Sequence, residues 1–184
     1  MRLFSKLFSL GSVMVLMACG GDSPTSPDTF QPPEGTYRSV LSPVKGTGVA
    51  GISVTPVANA SGTLDVIIKV RVEGARASST YLVQRSPEVG RASGQDGVCQ
   101  RALGQSPWSA SDPPAPAFVT FPLPSSGPLV SLQTQPNGNG SLDFEFTSTG
   151  IAAGTSFDVM FRLVDDGAAP SSELRSECLT VTAR

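Results

Sequence analysis

Leu64-Asp65-Val66-Ile67-Ile68-Lys69-Val70-Arg71-Val72-Glu73 alternates apolar and polar residues with a period of two. Every even position is apolar, and every odd position except Ile67 is polar. Successive side chains of a strand point to opposite faces of the sheet, so this pattern predicts a half-buried β-strand with Asp65, Lys69, Arg71 and Glu73 in solvent. Leu142-Asp143-Phe144-Glu145-Phe146 and Phe157-Asp158-Val159-Met160-Phe161-Arg162-Leu163 repeat the pattern. Further strands are expected near 36–42, 49–57, 78–86, 97–103, 117–122, 128–135 and 174–182. No segment keeps a 3.6-residue period over ten residues, and 92–103 has room for a helical turn at most. With 19 Gly and 16 Pro in 184 residues, the chain is rich in turns. The expected fold is all-β, a single β-sandwich of about nine or ten strands.

An internal likeness bears on that layout. Ile52-Ser53-Val54 followed by Asn59-Ala60-Ser61-Gly62-Thr63-Leu64-Asp65 aligns with Val130-Ser131-Leu132 followed by Asn137-Gly138-Asn139-Gly140-Ser141-Leu142-Asp143, at an offset of 78. At an offset of 79, Cys99 meets Cys178. The match points to an internal duplication; chance likeness of two generic hairpins is the alternative. A lone module of half this length has a marginal core, so one sandwich is expected in preference to tandem domains joined at Ser111-Asp112-Pro113-Pro114-Ala115-Pro116.

The N-terminus reads differently. Arg2 and Lys6 precede an apolar run from Leu7 to Ala18, and Leu16-Met17-Ala18-Cys19 closes it. A spanning helix needs about 20 apolar residues, so this shorter run reads as a signal peptide. The segment resembles the signal peptide and lipobox of bacterial lipoproteins. That resemblance implies cleavage before Cys19, acylation of its thiol with a diacylglycerol (palmitate-type chains), and a third acyl chain on its amine. Two or more chains anchor stably. Gly20 stands where an Asp favours inner-membrane retention, which leans toward the outer membrane. Residues 20–33 are Gly, Ser, Thr, Pro and Asp with almost no apolar content, a composition for a flexible tether. The expected organisation is a signal peptide over 1–18, a lipidated cysteine and tether over 19–35, and a β-domain over 36–184.

Loss of Arg2 and Lys6 with the leader takes the net charge from −2 to −4. A mildly acidic domain is a poor nucleic-acid binder. The chain has no histidine. That excludes Ser-His-Asp and Cys-His nucleophile sites, His-ligated zinc or copper, and histidine acid–base work. No cofactor and no metal are expected. Once Cys19 is acylated, Cys99 and Cys178 remain, and two thiols in an oxidising compartment predict one disulfide. Because Leu179 and Val181 alternate inward, Cys178 is expected to face away from the core and pin the 87–115 segment to an outer sheet face.

Several motifs imitate active sites. Gly46-Thr47-Gly48-Val49-Ala50-Gly51 has the letters of a dinucleotide fingerprint, but β-branched residues and Pro56 follow where a helix is needed. Ser42-Pro43-Val44-Lys45 has the spacing of an acyltransferase motif without the helix that brings Lys beneath Ser. Asp143 and Glu145 share a strand face at about 7 Å, a spacing for paired glycosidase carboxylates, yet alternation places both in solvent. Asp165-Asp166-Gly167 and Asn137-Gly138-Asn139-Gly140 have oxygen ligands suited to calcium without EF-hand spacing, and Asn-Gly stretches are hairpin turns first.

Trp108, in Ser106-Pro107-Trp108-Ser109, either plugs the end of the core or contacts a partner. The 87–115 segment is long enough to suspect function, and Arg85, Arg91 and Arg101 are the cations in or beside it. Trp108, Arg91 and Arg101 are therefore the candidate binding residues. The strand-rich layout is similar to immunoglobulin-like and CHRD-type extracellular domains, though the latter carry a histidine that this chain lacks. The expected function is a lipid-anchored envelope protein that binds or scaffolds and does not catalyse, with the membrane as partner through Cys19. An adhesion module gripping a glycan or an envelope protein through the 87–115 loop is the alternative, and a carboxylate- or metal-dependent enzyme the third.

Overall fold

The computed structural model describes residues 35–57, 62–103, 117–122, 128–167 and 169–184. Within them lie ten strands: β1 (Tyr37–Lys45), β2 (Val49–Val57), β3 (Thr63–Glu73), β4 (Thr80–Pro87), β5 (Val119–Thr120), β6 (Ser131–Gln133), β7 (Gly140–Thr149), β8 (Ser156–Asp165), β9 (Glu173–Ser176) and β10 (Leu179–Thr182). A single helical turn, α1 (Gln100–Leu103), stands where a strand over 97–103 was expected. The backbone turns back there: Gly97 has φ +81°, and the Leu103 N–H donates to the Cys99 carbonyl at 3.1 Å.

All pairings are antiparallel, and the strand order is β5-β4-β8-β9-β1-β2-β3-β7, with β10 also on β8 and β6 also on β4. The expected sandwich is therefore realised as one strongly curled sheet, a half-barrel, and not as two separate sheets. Long strands in an unbroken hydrogen-bonded row accumulate twist, and the row curls on itself to bury its apolar face. Strands from both halves of the chain pair with each other, β3 with β7, β4 with β8 and β1 with β9, which rules against tandem domains. The apparent repeat is not mirrored in pairing either. β2 pairs with β3 as a hairpin, whereas β6 pairs with β4 and β7 with β3.

Strand β3 behaves as its alternation dictates. Leu64, Val66, Ile68, Val70 and Val72 are buried, while Lys69, Arg71 and Glu73 are exposed. Strand β8 does not follow the simple rule. Phe157, Val159, Phe161 and Leu163 fill the concave core, yet Asp158 and Met160 on the other face are also buried. At Asp158 and Met160 the outer face of β8 is covered by the segment from Glu88 to Leu103.

Two turns lock together, the one that follows β3 and the one that precedes β7. The Ala75 N–H donates to the Gly138 carbonyl at 3.1 Å, the Gly74 N–H donates to Asn139 Oδ1 at 3.1 Å, and the Asn139 N–H donates to Asn137 Oδ1 at 3.0 Å. The Asn-Gly stretch is thus a turn whose side-chain oxygens are taken by backbone N–H groups. Gly138 has φ +79°, and a Cβ there would sit 2.2 Å from the Ala75 carbonyl oxygen. Gly138→Ala is expected to lose about 2–4 kcal/mol in urea unfolding, because both the backbone conformation and the turn–turn contact must give. A loss below half a kcal/mol would show that the two turns do not hold the curl.

Beside this lock, Tyr81 is fully buried; its hydroxyl accepts from the Arg76 N–H at 3.2 Å and donates to Ser172 Oγ at 2.8 Å. Asp165 accepts the Ser171 N–H at 2.9 Å and pairs with Arg76 at 3.4 Å. Burial pushes its carboxyl up, but the Ser171 hydroxyl, the N–H groups of Ser171 and Ser172, and Arg76 outweigh it and hold the carboxyl below its usual range. The Asp165 oxygens thus serve a structural turn.

A candidate ligand pocket in the concave face

The concave side of the curled sheet encloses a pocket of about 290 Å³. Its walls come from β2, β3 and β7 on one side and from β4, β8 and β10 on the other. Val66, Ile68, Phe157 and Val159 are typical of the lining, and Thr149 and Gly150, both exposed, mark where it meets solvent. The sheet pattern explains why the walls are apolar. Most of the residues that the wall strands turn inward are Val, Ile, Leu and Phe, while Ser148 and Thr149 of β7 lie toward the mouth.

One lining residue is charged. On β4, Tyr81 and Val83 point inward, and Arg85 and Pro87 occupy the same phase. The Arg85 guanidinium carbon lies 4.3 Å from the ring centroid of Phe121 and 4.3 Å from that of Phe146. Phe121 also meets Phe144 and Phe146 edge-on, at 5.2 and 5.1 Å. The ring faces offset part of the cost of taking a cation out of water. They do not supply a hydrogen bond: Arg85 Nη1 is buried with no hydrogen-bond partner. Burial lowers the guanidinium to about 10, which leaves it charged at neutral pH.

Other arginines of the sheet have acids to hand. Arg71 pairs with Asp143 at 2.5 Å, Arg76 with Asp165 at 3.4 Å, Arg162 with Glu173 at 3.6 Å and Arg175 with Glu173 at 2.5 Å. No ion pair to Arg85 occurs among the described residues. The sequence contained the signal for this residue. A charged side chain in the apolar phase of an alternating strand is out of place unless it serves the interior.

The residues singled out in the sequence lie elsewhere. Cys99 and Cys178 form a disulfide, with their Cα atoms 5.4 Å apart. The bridge sits on the outer face in a second small apolar cluster with Ala102, Met160 and Phe118, so it pins this segment to the sheet as expected. Asp158 assists: it accepts the Gly97 N–H at 2.8 Å and the Thr180 hydroxyl at 2.6 Å. Arg101 belongs to the same anchorage. Its N–H donates to Glu88 Oε1 at 2.5 Å, and its Nη1 donates to the Pro87 carbonyl at 3.1 Å. Burial pushes the Glu88 carboxyl up, against the pull of the Arg101 N–H and of the Arg91 charge. Arg91 and Arg101 thus fold the segment around Glu88, on the outer face, whereas Arg85 faces the pocket. Cys19 and Trp108 lie outside the described residues.

The decoys resolve as structure. Gly46-Thr47-Gly48 is the β1–β2 turn, and a Cβ at Gly48 would meet Ala75 backbone atoms at 2.7 Å. Lys45 donates to the Pro170 carbonyl, so its ammonium is engaged by the backbone of a remote turn. Asp143 and Glu145 are exposed, and the Arg71 bond to Asp143 holds that carboxyl below its usual range. Among the described residues no group of three or more His, Cys, Asp or Glu is placed to hold a metal, and no helix is long and apolar enough to cross a membrane.

Fold and pocket together define an antiparallel curled-sheet domain with one cationic side chain in an apolar interior. No family model, no curated protein and no solved structure matches the chain.

Proposed function

We propose that this chain is a lipid-anchored protein of the bacterial cell envelope, held at the outer membrane by acyl chains on Cys19, whose β-domain binds a ligand and does not catalyse. The observation that carries the binding half is the apolar pocket of about 290 Å³ inside the curled sheet. Ligand sites are typically concave, mostly apolar and furnished with a few polar groups that orient the guest, and this pocket has that make-up. The anchoring half rests on the run Leu16-Met17-Ala18-Cys19 behind Arg2 and Lys6. The absence of catalysis rests on the histidine-free composition and on carboxylates such as Asp158 and Asp165 that are engaged in anchors and turns. An adhesive role through Trp108 is less favoured, because Arg101 is occupied in holding its own segment and Arg91 is half-buried beside Glu88.

Two measurements test the proposal. The neutral fluorophore N-phenyl-1-naphthylamine should bind the purified full-length protein saturably at one site. Val66→Phe, which fills the pocket from β3, should abolish that binding while the protein stays folded. Binding that never saturates, or that survives Val66→Phe, removes the pocket from the account. For the anchor, radiolabelled palmitate should enter the wild type and not Cys19→Ala; absence of label from both would remove the lipid.

A further inference from the structure

We propose that the pocket takes a small amphiphilic monoanion, an apolar body of about a dozen carbon atoms ending in a carboxylate, with the carboxylate bound by the Arg85 guanidinium. This deepens the proposed ligand-binding function and rests on it.

Size comes first. A cavity of ~150 Å³ lined by Leu, Ile and Phe holds one benzene, so the present volume of about 290 Å³ holds about twice that number of carbons. The charge requirement is more selective. A cation set among apolar side chains costs free energy unless it is paired and hydrogen-bonded. The protein meets half of that need with the faces of Phe121 and Phe146 and leaves the other half open, with Nη1 buried and unbonded. The sheet supplies Asp143, Asp165 and Glu173 to other arginines and none of them to this one. A planar guanidinium with open N–H groups matches a carboxylate better than any neutral head, since charge-assisted N–H···O bonds run about twice as strong as neutral ones. A cationic amphiphile would bring like charge to Arg85 and is rejected by the same wall. The apolar remainder of the guest would lie against Val66, Ile68, Phe157 and Val159, which already present their side chains to the space.

The test compares heads on one tail. Decanoate, decanol and decyltrimethylammonium are titrated into the purified full-length protein as competitors of N-phenyl-1-naphthylamine, below their micellar concentrations. Decanoate should bind about tenfold to a hundredfold more tightly than decanol, and the ammonium should bind most weakly. In Arg85→Gln the decanoate advantage should fall to within about twofold, while decanol keeps its affinity; retained decanol binding certifies the folded pocket. Arg85→Lys should recover part of the advantage, since a point charge remains without the fork. Equal binding of decanoate and decanol by the wild type overturns the proposal, as does an undiminished advantage in Arg85→Gln. Should Arg85→Gln fail to fold, the wild-type ranking of the three heads decides alone. Failure of the neutral probe and of all three amphiphiles together would instead overturn the ligand-binding function itself.

Discussion

Replacing Cys99 and Cys178 together by alanine should lower the unfolding free energy by about 4 kcal/mol, read as a fall in the urea midpoint with a steeper slope, because the unfolded chain without the cross-link exposes more surface. The bridge joins residues 79 apart, and the chain-entropy model assigns a loop of that length roughly 4–5 kcal/mol through the unfolded state. A second loss acts in the folded state. Cys99 is fully buried with Ala102 and Met160, in a cluster too small to hold the Glu88–Leu103 segment by apolar contact alone. Asp158, Thr180 and the Gly97 N–H would remain as polar fasteners on an outer face that water could then enter. The double variant should therefore also become sensitive to proteolysis between residues 88 and 103. The pocket lies on the opposite face of β8, so binding of N-phenyl-1-naphthylamine below the unfolding transition should persist. A midpoint shift worth less than about 1 kcal/mol would mean that the segment is held by its carboxylates and not by the bridge.

Phe121→Ala should cost about 3–5 kcal/mol, the usual range for removing a buried phenylalanine. Phe121 is 1% exposed and stands at the meeting point of Phe144, Phe146 and Phe161, with Arg85 over its face. Its backbone also ties into the sheet, with its N–H donating to the Val83 carbonyl at 3.0 Å and its carbonyl accepting from Val130 at 2.9 Å. Truncation would remove one of the two rings that offset the burial of Arg85, so the loss combines cavity and cation. Phe121→Leu, which keeps most of the volume but not the ring face, should cost less in stability. It should also weaken decanoate no more than decanol if the ring holds the guanidinium without taking part in recognition. Chemical unfolding of both variants, with the same competition assay, checks the pair of effects.

Much of this molecule was legible in its residues, and the reasons are local. The even positions of β3 and the odd positions of β8 set their inward faces, because a strand turns each successive side chain over. The turn at Asn137-Gly138 was legible because that dipeptide suits the left-handed conformation Gly138 adopts. The pairing of Cys99 with Cys178 followed from counting the cysteines left after Cys19. Arg85 was legible in part. Its place just before the 87–115 segment was visible, but its inward phase with Tyr81 and Val83 is what marks its role.

Other features had no local signature. Residues 97–103 were expected to extend, and instead Gly97 turns the backbone and α1 follows. Asp158 was expected in solvent by alternation, yet it is fully buried because a segment remote in sequence lies across it. Alternation assigns a residue to one of two faces; it does not say whether something else covers the outer one.

By itself the sequence determined an all-β chain, the faces of its long strands, its one cystine and its lack of histidine chemistry, since each follows from residue type and near-neighbour spacing. Only the tertiary structure decided that the strands form one curled sheet and not two flat ones, that both faces of β8 are buried, and that an arginine without an acid stands inside an apolar pocket. Strand order, curl and partner choice come from contacts between residues far apart in the chain, and a two-residue period carries no record of them.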